Sequence, residues 1–401
     1  MRWQIGICGD EHMGIKLGNI CRFQSGGTPA KGRPEFFNGT IPWITTTALN
    51  GGNIGKESAV DWICEQAIKE SAAKIVPAFS IMVGTRVGVG KVAINTINMS
   101  TSQDIVSLLD IDESIWSKAF LCKFLQAKGA FLNAQARGAT IKGIKIDVLS
   151  ELELPEIPIE EQQHISQIID KVKTTIAMRQ SQLQKLDELV KARFVEMFGD
   201  TFSNPKRWPI KTFKEASIRL SDGPFGSNLK SEHYSDRGVQ VIRLGNIGVG
   251  QFIDNNKSFI PADHYSRLKK YTCKSGELVI ATLGEPNLRA CIIPESVGMA
   301  VNKADCVHYI PNPEILDTTF VCQYINCPTS LLLASGMIHG QTRARVSSGQ
   351  IAKMPIYIPP MLLQLKFAEI SKQADKSKAV IQRTLNEAQT LFDSLMQKYF
   401  G

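Results

Sequence analysis

The sequence lacks the features that would place it in a membrane or outside the cell. It contains no run of about 18 apolar residues, so no segment is expected to span a bilayer. The N-terminus has no secretory hydrophobic region ahead of Asp10 and Glu11. Its nine cysteines are odd in number and form no Cys-x-x-Cys pair, which favours reduced core thiols. These absences predict a cytoplasmic protein with no membrane partner.

Catalytic and metal-binding motifs are also missing. Residues 84–92 resemble a phosphate-binding loop, but the glycine spacing is wrong and Val92 replaces the Ser or Thr that would hold magnesium. We interpret this stretch as a glycine-rich hairpin. No Asn/Asp-Pro-Pro-aromatic motif for methyl transfer is present, and the six histidines show no metal-ligand spacing. The chain is therefore predicted to be no enzyme and to hold no metal.

Two long helices dominate what is present. Residues 160–198 and 361–399 contain no Pro or Gly, and their apolar residues recur at alternating spacings of three and four. This heptad pattern predicts coiled-coil helices, each about 55–60 Å long. Because water cannot satisfy a narrow apolar stripe, each helix is expected to pair with the other. We predict that the pair is antiparallel, since each helix must carry the chain from one globular region to the other.

The chain is an internal repeat. The helices align at a constant offset that places Gln162 on Gln364, Ile165 on Phe367 and Phe198 on Phe400. The match continues upstream at scattered positions, which predicts two globular regions at 1–158 and 200–358 (with a linker at 200–210) and two spacer helices at 159–199 and 359–401. The expected fold is α+β, with short antiparallel strands, including one over 239–247, and helices near 115–128 and 320–334.

Polar loops supply candidates for nucleic-acid contact. The 46 Lys and Arg residues exceed the 38 Asp and Glu residues, and the net charge of +8 permits a polyanion partner. Arg or Lys suits guanine, Asn or Gln suits adenine, and Ser or Thr suits either. The candidates are Thr28, Lys31, Arg33, Thr45, Thr46, Arg86 and Lys142 in the first region, and Ser227, Asn228, Lys230, Arg243, Asn246, Arg289, Lys303, Arg343 and Arg345 in the second. Arg343 and Arg345 are the strongest, because their loop has no nearby acidic residues; a solvated surface position is the alternative for each.

Several of these segments resemble one known family. They are the Gly-Gly-Thr-Pro loop at 26–29 with strand 41–44, the Phe-Gly-Ser loop at 225–227 with 241–247, and Ile157-Pro158 running into Glu161-Gln162. Together they resemble the DNA-specificity subunits of type I restriction–modification systems over nearly the whole chain. One departure is the segment 5–13, which is longer than that family leads us to expect and has no assigned role.

The resemblance implies a function. Each globular region would be a target recognition domain that reads one half of a bipartite site in double-stranded DNA. The antiparallel helices would form a spacer with pseudo-two-fold symmetry that docks two methyltransferase (modification) subunits and, through them, the restriction/translocase subunits. The chain itself would be the non-catalytic part of an adenine-DNA methyltransferase complex. It would carry no cofactor, and S-adenosylmethionine, ATP and Mg²⁺ would belong to the partner subunits.

A different class of function stays open from the residues alone. A non-catalytic coiled-coil scaffold with two protein-binding domains would show the same helices and the same repeat. The two hypotheses differ in salt response, because binding to DNA phosphates weakens steeply as salt rises.

Overall fold

The computed structural model describes residues 14–138, 142–335 and 345–401. The segment 5–13, for which the sequence suggests no role, lies outside the described residues. The chain forms two compact units, one of Met1–Met178 with Leu385–Gly401 and one of Arg179–Thr384. Each long helix therefore contributes one part to each unit.

The described residues of the first unit form short strands and several helices, including parts of both long helices. The strands are β1 (Ile15–Lys16), β2 (Arg22–Ser25), β3 (Ile41–Ile44), β4 (Asn53–Ile54), β5 (Asp61–Ile63), β6 (Ile75–Val76), β7 (Ile81–Gly84), β8 (Val92–Asn95), β9 (Met99–Thr101), β10 (Ile105–Leu109) and β11 (Glu153–Leu154). The helices are α1 (Glu65–Glu70), α2 (Lys118–Ala127), α3 (Gly129–Gln135), α4 (Ile146–Ser150) and the first part of α5 (Ile159–Phe198).

The second unit repeats this inventory. Its strands are β12 (Ile210–Thr212), β13 (Ser217–Ser221), β14 (Val239–Ile242), β15 (Phe259–Ile260), β16 (Thr272–Lys274), β17 (Leu278–Ala281), β18 (Arg289–Ile292), β19 (Met299–Asn302), β20 (Cys306–Pro311) and β21 (Pro355–Tyr357). Its helices are α6 (Ala262–Leu268), α7 (Thr318–Asn326), α8 (Pro328–Ser335), α9 (Ser348–Lys353) and α10 (Met361–Phe400), whose last part lies in the first unit.

The sheets of the two units have the same strand order, except that β4 extends one sheet of the first unit. In the first unit the orders are β2-β10-β7-β8-β4 and β5-β3-β9-β6; in the second they are β13-β20-β17-β18 and β15-β14-β19-β16. A two-stranded sheet joins the ends of each unit, β1 with β11 and β12 with β21. This repetition confirms the α+β class. Most strand pairs are antiparallel, as expected, but β3 pairs with β9, β4 with β8 and β14 with β19 in parallel.

Two predicted elements are shorter than the sequence indicates. The single helix expected at 320–334 is divided into α7 and α8, because Pro328 has no amide hydrogen to continue α7. The strand expected at 239–247 ends at Ile242, after which Leu244–Asn246 form a 3-10 turn. The glycine-rich stretch is a hairpin between β7 and β8, as predicted, with Gly88 and Gly90 at positive φ of 75° and 81°.

The long helices pack antiparallel in both units. In the second unit the end of α5 and the beginning of α10 share a core, where the Phe367 ring lies 5.3 Å from Phe194 and 5.8 Å from Phe198. In the first unit the beginning of α5, at Ile165, shares a core with the end of α10, at Phe400. Because each core joins the start of one helix to the end of the other, the predicted antiparallel pairing is confirmed.

A buried glutamine fixes the start of each long helix. Gln162 accepts the Ser117 N–H at 2.9 Å and donates to the carbonyls of Ile115 and Ile157, both at 2.9 Å. Gln364 repeats the pattern. It accepts the Asp317 N–H at 2.8 Å and donates to the carbonyls of Ile315 at 2.9 Å and Pro359 at 2.8 Å. The match between Gln162 and Gln364 therefore reflects a shared structural role in which each amide links the helix to the turn before α2 or α7.

Replacing Gln364 by leucine is expected to destabilise the second unit by about 1–3 kcal/mol, because it leaves a buried N–H and two carbonyls without partners. Urea unfolding followed by the fluorescence of Trp208, the one tryptophan in 179–384, measures this loss. The control is Gln373→Leu on the exposed face of α10, where a change within about 0.5 kcal/mol is expected. Equal stability of the two variants would contradict this role for Gln364.

Candidate nucleic-acid interface

Two predicted cations meet at one sheet edge of the second unit. Strands β14 and β19 are parallel neighbours with Ile242 opposite Asn302, so the residues that follow them, Arg243 and Lys303, leave the sheet together. Both line an open cavity of about 540 Å³. The remaining lining residues are Leu244, Gly245, Asn246, Ile253, Asn255, Asn256, Ala304 and Asp305.

An aromatic ring that sequence reasoning missed contacts both cations. Lys303 donates a hydrogen bond to the Tyr234 hydroxyl at 3.1 Å, and its Nζ lies 5.5 Å from the ring centroid. The Arg243 guanidinium lies 6.0 Å from the same ring and donates to the Asn256 carbonyl at 2.9 Å. These contacts restrict the conformations of both long side chains. In the sequence, the signal for Tyr234 was its position close to a polar loop.

Arg345 is paired with acidic residues, contrary to the sequence-based expectation. Its Nη2 lies 2.7 Å from Asp305 Oδ1 and 3.8 Å from Asp222 Oδ2, and its guanidinium lies 5.6 Å from the Phe225 ring. The expectation failed because both aspartates come from loops distant in sequence. Since Asp305 also lines the cavity, Arg345 extends the cluster formed by Arg243 and Lys303.

The second aspartate of this cluster is largely withdrawn from solvent. Asp222 accepts the N–H groups of Gly223 at 2.9 Å and of Asp305 at 3.0 Å. Burial raises the pKa of its carboxyl group above the ordinary value, and the neighbouring Asp305 acts in the same direction, while both hydrogen bonds and Arg345 oppose the shift. Asp222 thus supports the backbone of Asp305 as well as contacting Arg345.

Two predicted residues brace the loops instead of presenting their side chains. Asn246 is buried, and its amide group bonds to the Ile253 carbonyl at 2.9 Å and to the Arg243 N–H at 3.0 Å. Arg289 donates to four backbone carbonyls, those of Ile247 (2.6 Å), Pro286 (2.8 Å), Leu244 (3.0 Å) and Leu283 (3.0 Å). Burial lowers the pKa of Arg289 from its ordinary value. In this arrangement neither side chain is available to a base edge.

The other candidates of the second unit lie beside or outside this cluster. Asn228 and Lys230 are exposed on the loop after Phe225, where Asn228 bonds to the Phe225 carbonyl at 3.0 Å and Lys230 lies 3.5 Å from Glu232. Ser227 belongs to the 3-10 turn Gly226–Asn228, and its side chain is not described. Arg343 lies outside the described residues.

The first unit has the same framework with different side chains. Strands β3 and β9 pair Ile44 with Thr101 as β14 and β19 pair Ile242 with Asn302, so Thr45 and Ser102 occupy the positions of Arg243 and Lys303. Gly143 occupies the position of Arg345, because the Ile144 N–H bonds to Thr85 as the Val346 N–H bonds to Thr282. Small neutral residues therefore stand where the second unit has three cations.

The remaining candidates of the first unit fall into three groups. Thr45 is half-buried, with its hydroxyl 2.8 Å from that of Thr47, while Thr46 is buried and Thr28 is half-buried. Arg33 is held by Glu35 and Glu70 at 2.7 Å and lies 4.0 Å above Phe36. Lys31, Arg86 and Lys142 are exposed and have no ion-pair partner among the residues that the structure describes. These three are the cations of the set that remain open to a ligand.

A buried histidine gives the second unit a pH-dependent stability. His308 is 1% exposed, its Nε2 lies 2.8 Å from Glu277 Oε2, and its Nδ1 has no partner among the described residues. Burial lowers the pKa of His308 and Arg219 adds to this, while Glu277 opposes the shift. The fold therefore favours neutral His308, and below the unfolded pKa of about 6.5 the unfolded chain gains a proton that the folded chain resists.

We therefore expect the melting temperature of the second unit to decrease as the pH is lowered from about 7.5 to about 5.5. This pH interval lies above the range in which most carboxylates titrate. The variant His308→Ser, which copies Ser107 at the same register position in the first unit, should flatten that dependence. Thermal melting followed by Trp208 fluorescence provides the comparison. Identical pH profiles for both proteins would show that His308 does not control this effect.

Comparisons with known proteins agree with this architecture. A family model described as "Type I restriction modification DNA specificity domain" matches residues 10–188. The type I restriction enzyme MjaVIII specificity subunit of Methanocaldococcus jannaschii is 20% identical over 379 residues, which cover 90% of this chain and 85% of that protein. The EcoR124I/EcoR124II specificity subunit of Escherichia coli is 31% identical over 198 residues, which cover 47% of this chain and 48% of that one.

The fold also matches a solved structure. The crystal structure of the S subunit of a type I restriction–modification system from M. genitalium aligns with a TM-score of 0.58 at 17% identity, covering 98% of both chains. The chain is thus similar over most of its length to DNA-specificity subunits of type I restriction–modification enzymes, and the model of their specificity domain matches residues 10–188. Such a subunit is a non-catalytic DNA-recognition component. Among the described residues, no helix is long and apolar enough to cross a bilayer.

Proposed function

We propose that this chain reads a bipartite DNA site, with residues 1–158 recognising one half and residues 200–358 the other. The observation that carries this proposal is the difference between the units at equivalent positions. Where β3 and β9 are followed by Thr45 and Ser102, β14 and β19 are followed by Arg243 and Lys303. A common framework that presents different hydrogen-bonding groups is suited to reading two different half-site sequences, the first word (read by residues 1–158) and the second word (read by residues 200–358).

The side chains favour different bases in the two words. Arg and Lys pair best with the O6 and N7 acceptors of guanine, so the second word is expected to contain guanine opposite the cluster of Arg243, Lys303 and Arg345. Threonine hydroxyls accept or donate and tolerate several bases. The first word is therefore expected to depend on Thr45 together with the exposed cations Lys31, Arg86 and Lys142. Phosphate contacts from these same cations would set the position on the duplex.

The spacer helices fix the distance between the two words. A helix of 40 residues, the length of both α5 and α10, is about 60 Å long. B-DNA presents its major groove again after about 34–36 Å. With the ends of each helix packed into the cores of the units, the remaining length is compatible with about one turn of unread DNA between the words.

The repeat also favours two docked partners. Leu189 on α5 and Leu391 on α10 occupy equivalent positions, and both are exposed, at 47% and 50%. Two equivalent apolar points support the docking of two methyltransferase subunits, one per repeat, with the restriction/translocase subunits bound through them. S-adenosylmethionine, ATP and Mg²⁺ would bind to those partner subunits. The methyltransferase subunits would supply the adenine-methylating activity of the complex.

Duplex binding at two salt concentrations tests the proposal. The chain with its modification subunits is titrated with a duplex that carries the recognised site and with a random duplex. We expect tight, sequence-dependent binding that weakens steeply between about 50 and 200 mM salt. Salt-insensitive binding, or none, would favour the protein scaffold. Methylation of DNA by the purified chain alone would contradict the non-catalytic assignment.

A further inference from the structure

The ion pair between Arg345 and Asp305 has a geometry suited to orienting a side chain. The Arg345 side chain is 41% exposed, and its guanidinium is held by Asp305 at 2.7 Å and flanked by the Phe225 ring, which is itself 47% exposed. A planar guanidinium that is paired with a carboxylate through one nitrogen and packed beside a ring is restricted in the direction of its remaining donors. Such a group can meet two acceptors that are themselves fixed in one plane.

Hydrogen bonds hold the backbone of Asp305 in place. Asp305 has a left-handed φ of 65°, a conformation that Asp and Asn adopt more readily than most residues. Its N–H is held by Asp222 at 3.0 Å, and its carbonyl accepts the N–H of Thr282 at 3.0 Å and the Thr282 hydroxyl at 3.2 Å. The backbone that carries the carboxylate is therefore fixed by its bonds to Asp222 and Thr282.

The charge balance distinguishes base reading from phosphate binding. The cluster joins Arg243, Lys303 and Arg345 to two aspartates, Asp222 and Asp305. A carboxylate 2.7 Å from a cation weakens the attraction of that cation for a phosphate, so a pure phosphate site would gain from losing Asp305. A base edge is neutral, and a correctly oriented guanidinium recognises it by geometry.

Comparison of the repeats indicates that the pair serves specificity and not folding. Asp104 is the counterpart of Asp305, because its carbonyl accepts the Thr85 N–H at 2.8 Å and the Thr85 hydroxyl at 3.2 Å. The position opposite it is Gly143, so the first unit has the framework aspartate without the arginine. The framework thus folds without this ion pair.

We propose that Asp305, supported by Asp222, is a positioning residue that orients Arg345 to read a guanine in the second word. This inference rests on the proposed function and adds the base class and the residues that determine it. It assigns Asp305, an acidic residue on a DNA-facing cluster, a role that the charge of the cluster alone would not suggest.

The main test is Asp305→Asn in the complex with the modification subunits. Asn suits the left-handed φ, so the backbone is kept, while the carboxylate that holds Arg345 is lost. We expect affinity for the recognised duplex to fall by about 10- to 100-fold and affinity for a random duplex to stay equal or to rise slightly. Duplexes substituted at each base pair of the second word should locate the lost discrimination at one guanine position.

Two further variants and a matched control sharpen the test. Arg345→Ala should lose discrimination at the same guanine, and adding Asp305→Asn to it should cause little extra loss, because the pair acts as one unit. Arg345→Lys keeps the charge but not the planar fork, so it should retain affinity for random DNA while losing the guanine preference. Asp104→Asn, the same change in the first unit, should leave the preference for both words intact.

The outcomes separate this inference from the function on which it rests. Wild-type complex without sequence-dependent binding overturns the proposed function. With wild-type specificity established, unchanged guanine preference in Asp305→Asn overturns the positioning role. So does an equal loss at every position and on random DNA, which indicates structural damage. If Asp305→Asn does not fold, Arg345→Lys decides, and a retained guanine preference in that variant is the contradicting result.

Discussion

Insertion of three heptads into both long helices is expected to lengthen the unread gap by about one turn of DNA and to leave both words unchanged. The insertions belong between Met178 and Arg179 in α5 and between Thr384 and Leu385 in α10, where each helix passes from one compact unit to the other. Twenty-one residues add about 30 Å of helix. At 3.4 Å per base pair this equals about nine base pairs, close to the repeat of the major groove.

Three heptads are chosen because the added length must bring the next major-groove position back to the same face of the DNA. A whole number of heptads preserves the apolar seam between the antiparallel helices. One heptad adds only about 10 Å, or about three base pairs, so the next groove position is rotated by about a third of a turn. We therefore expect the one-heptad variant to bind its lengthened site much more weakly than the three-heptad variant binds its own.

Binding selection from a library with two fixed words and variable gaps measures this result. The control is a three-heptad insertion in α5 alone, which offsets the seam and should abolish binding at every gap length. A variant with both insertions that keeps the original gap but selects different words would contradict the spacer role of the helices. The wild-type gap is the internal reference in each selection.

Replacing Phe367 by alanine is expected to destabilise the second unit by about 3–5 kcal/mol. Phe367 is fully buried, and its ring packs edge-on against Phe194 and Phe198, which in turn contact Phe320 at 5.5 and 4.8 Å. The substitution leaves a cavity where the end of α5, the start of α10 and α7 meet. Few single changes among the described residues of this unit would remove more aromatic contact.

The repeat supplies a matched experiment for the first unit. Phe400 at the end of α10 lies 5.1 Å from Phe120, the counterpart of Phe320, and 6.3 Å from Phe124. Phe400→Ala should destabilise the first unit and leave the Trp208 signal of the second unit intact, while Phe367→Ala should do the reverse. Exposed Phe202→Ala is the control for a change of size without burial. Urea unfolding that shows equal losses in both units for either variant would contradict this assignment.

The helices were predictable from sequence because their signal is local. Alternating three- and four-residue spacing, the absence of Pro and Gly, and the offset that joins Gln162 to Gln364 together predict α5 and α10 to within one residue at each end. The break between α7 and α8 is also local, since Pro328 marks it. The parallel pairing of β14 with β19 is not, because it depends on which distant strands meet in a sheet.

The candidate site shows the same limit. Residue type alone predicts Arg243 and Lys303 as cations, but their convergence follows from the pairing of β14 with β19. Asn246 has the type that suits adenine, yet its amide is used by its own loop. The aspartates that contact Arg345 come from loops distant in sequence, so the local sequence around Arg345 does not predict them. Alignment of the two repeats, which pairs Asp104 with Asp305, could have indicated one of them.

Methylome sequencing of cells that carry this chain with its modification and restriction subunits tests the central claim most directly. If the two units read two different words at a fixed separation, the methylated bases will lie in two short, unlike sequences divided by a constant number of unread base pairs. A single continuous recognition sequence, or two identical words, would contradict it.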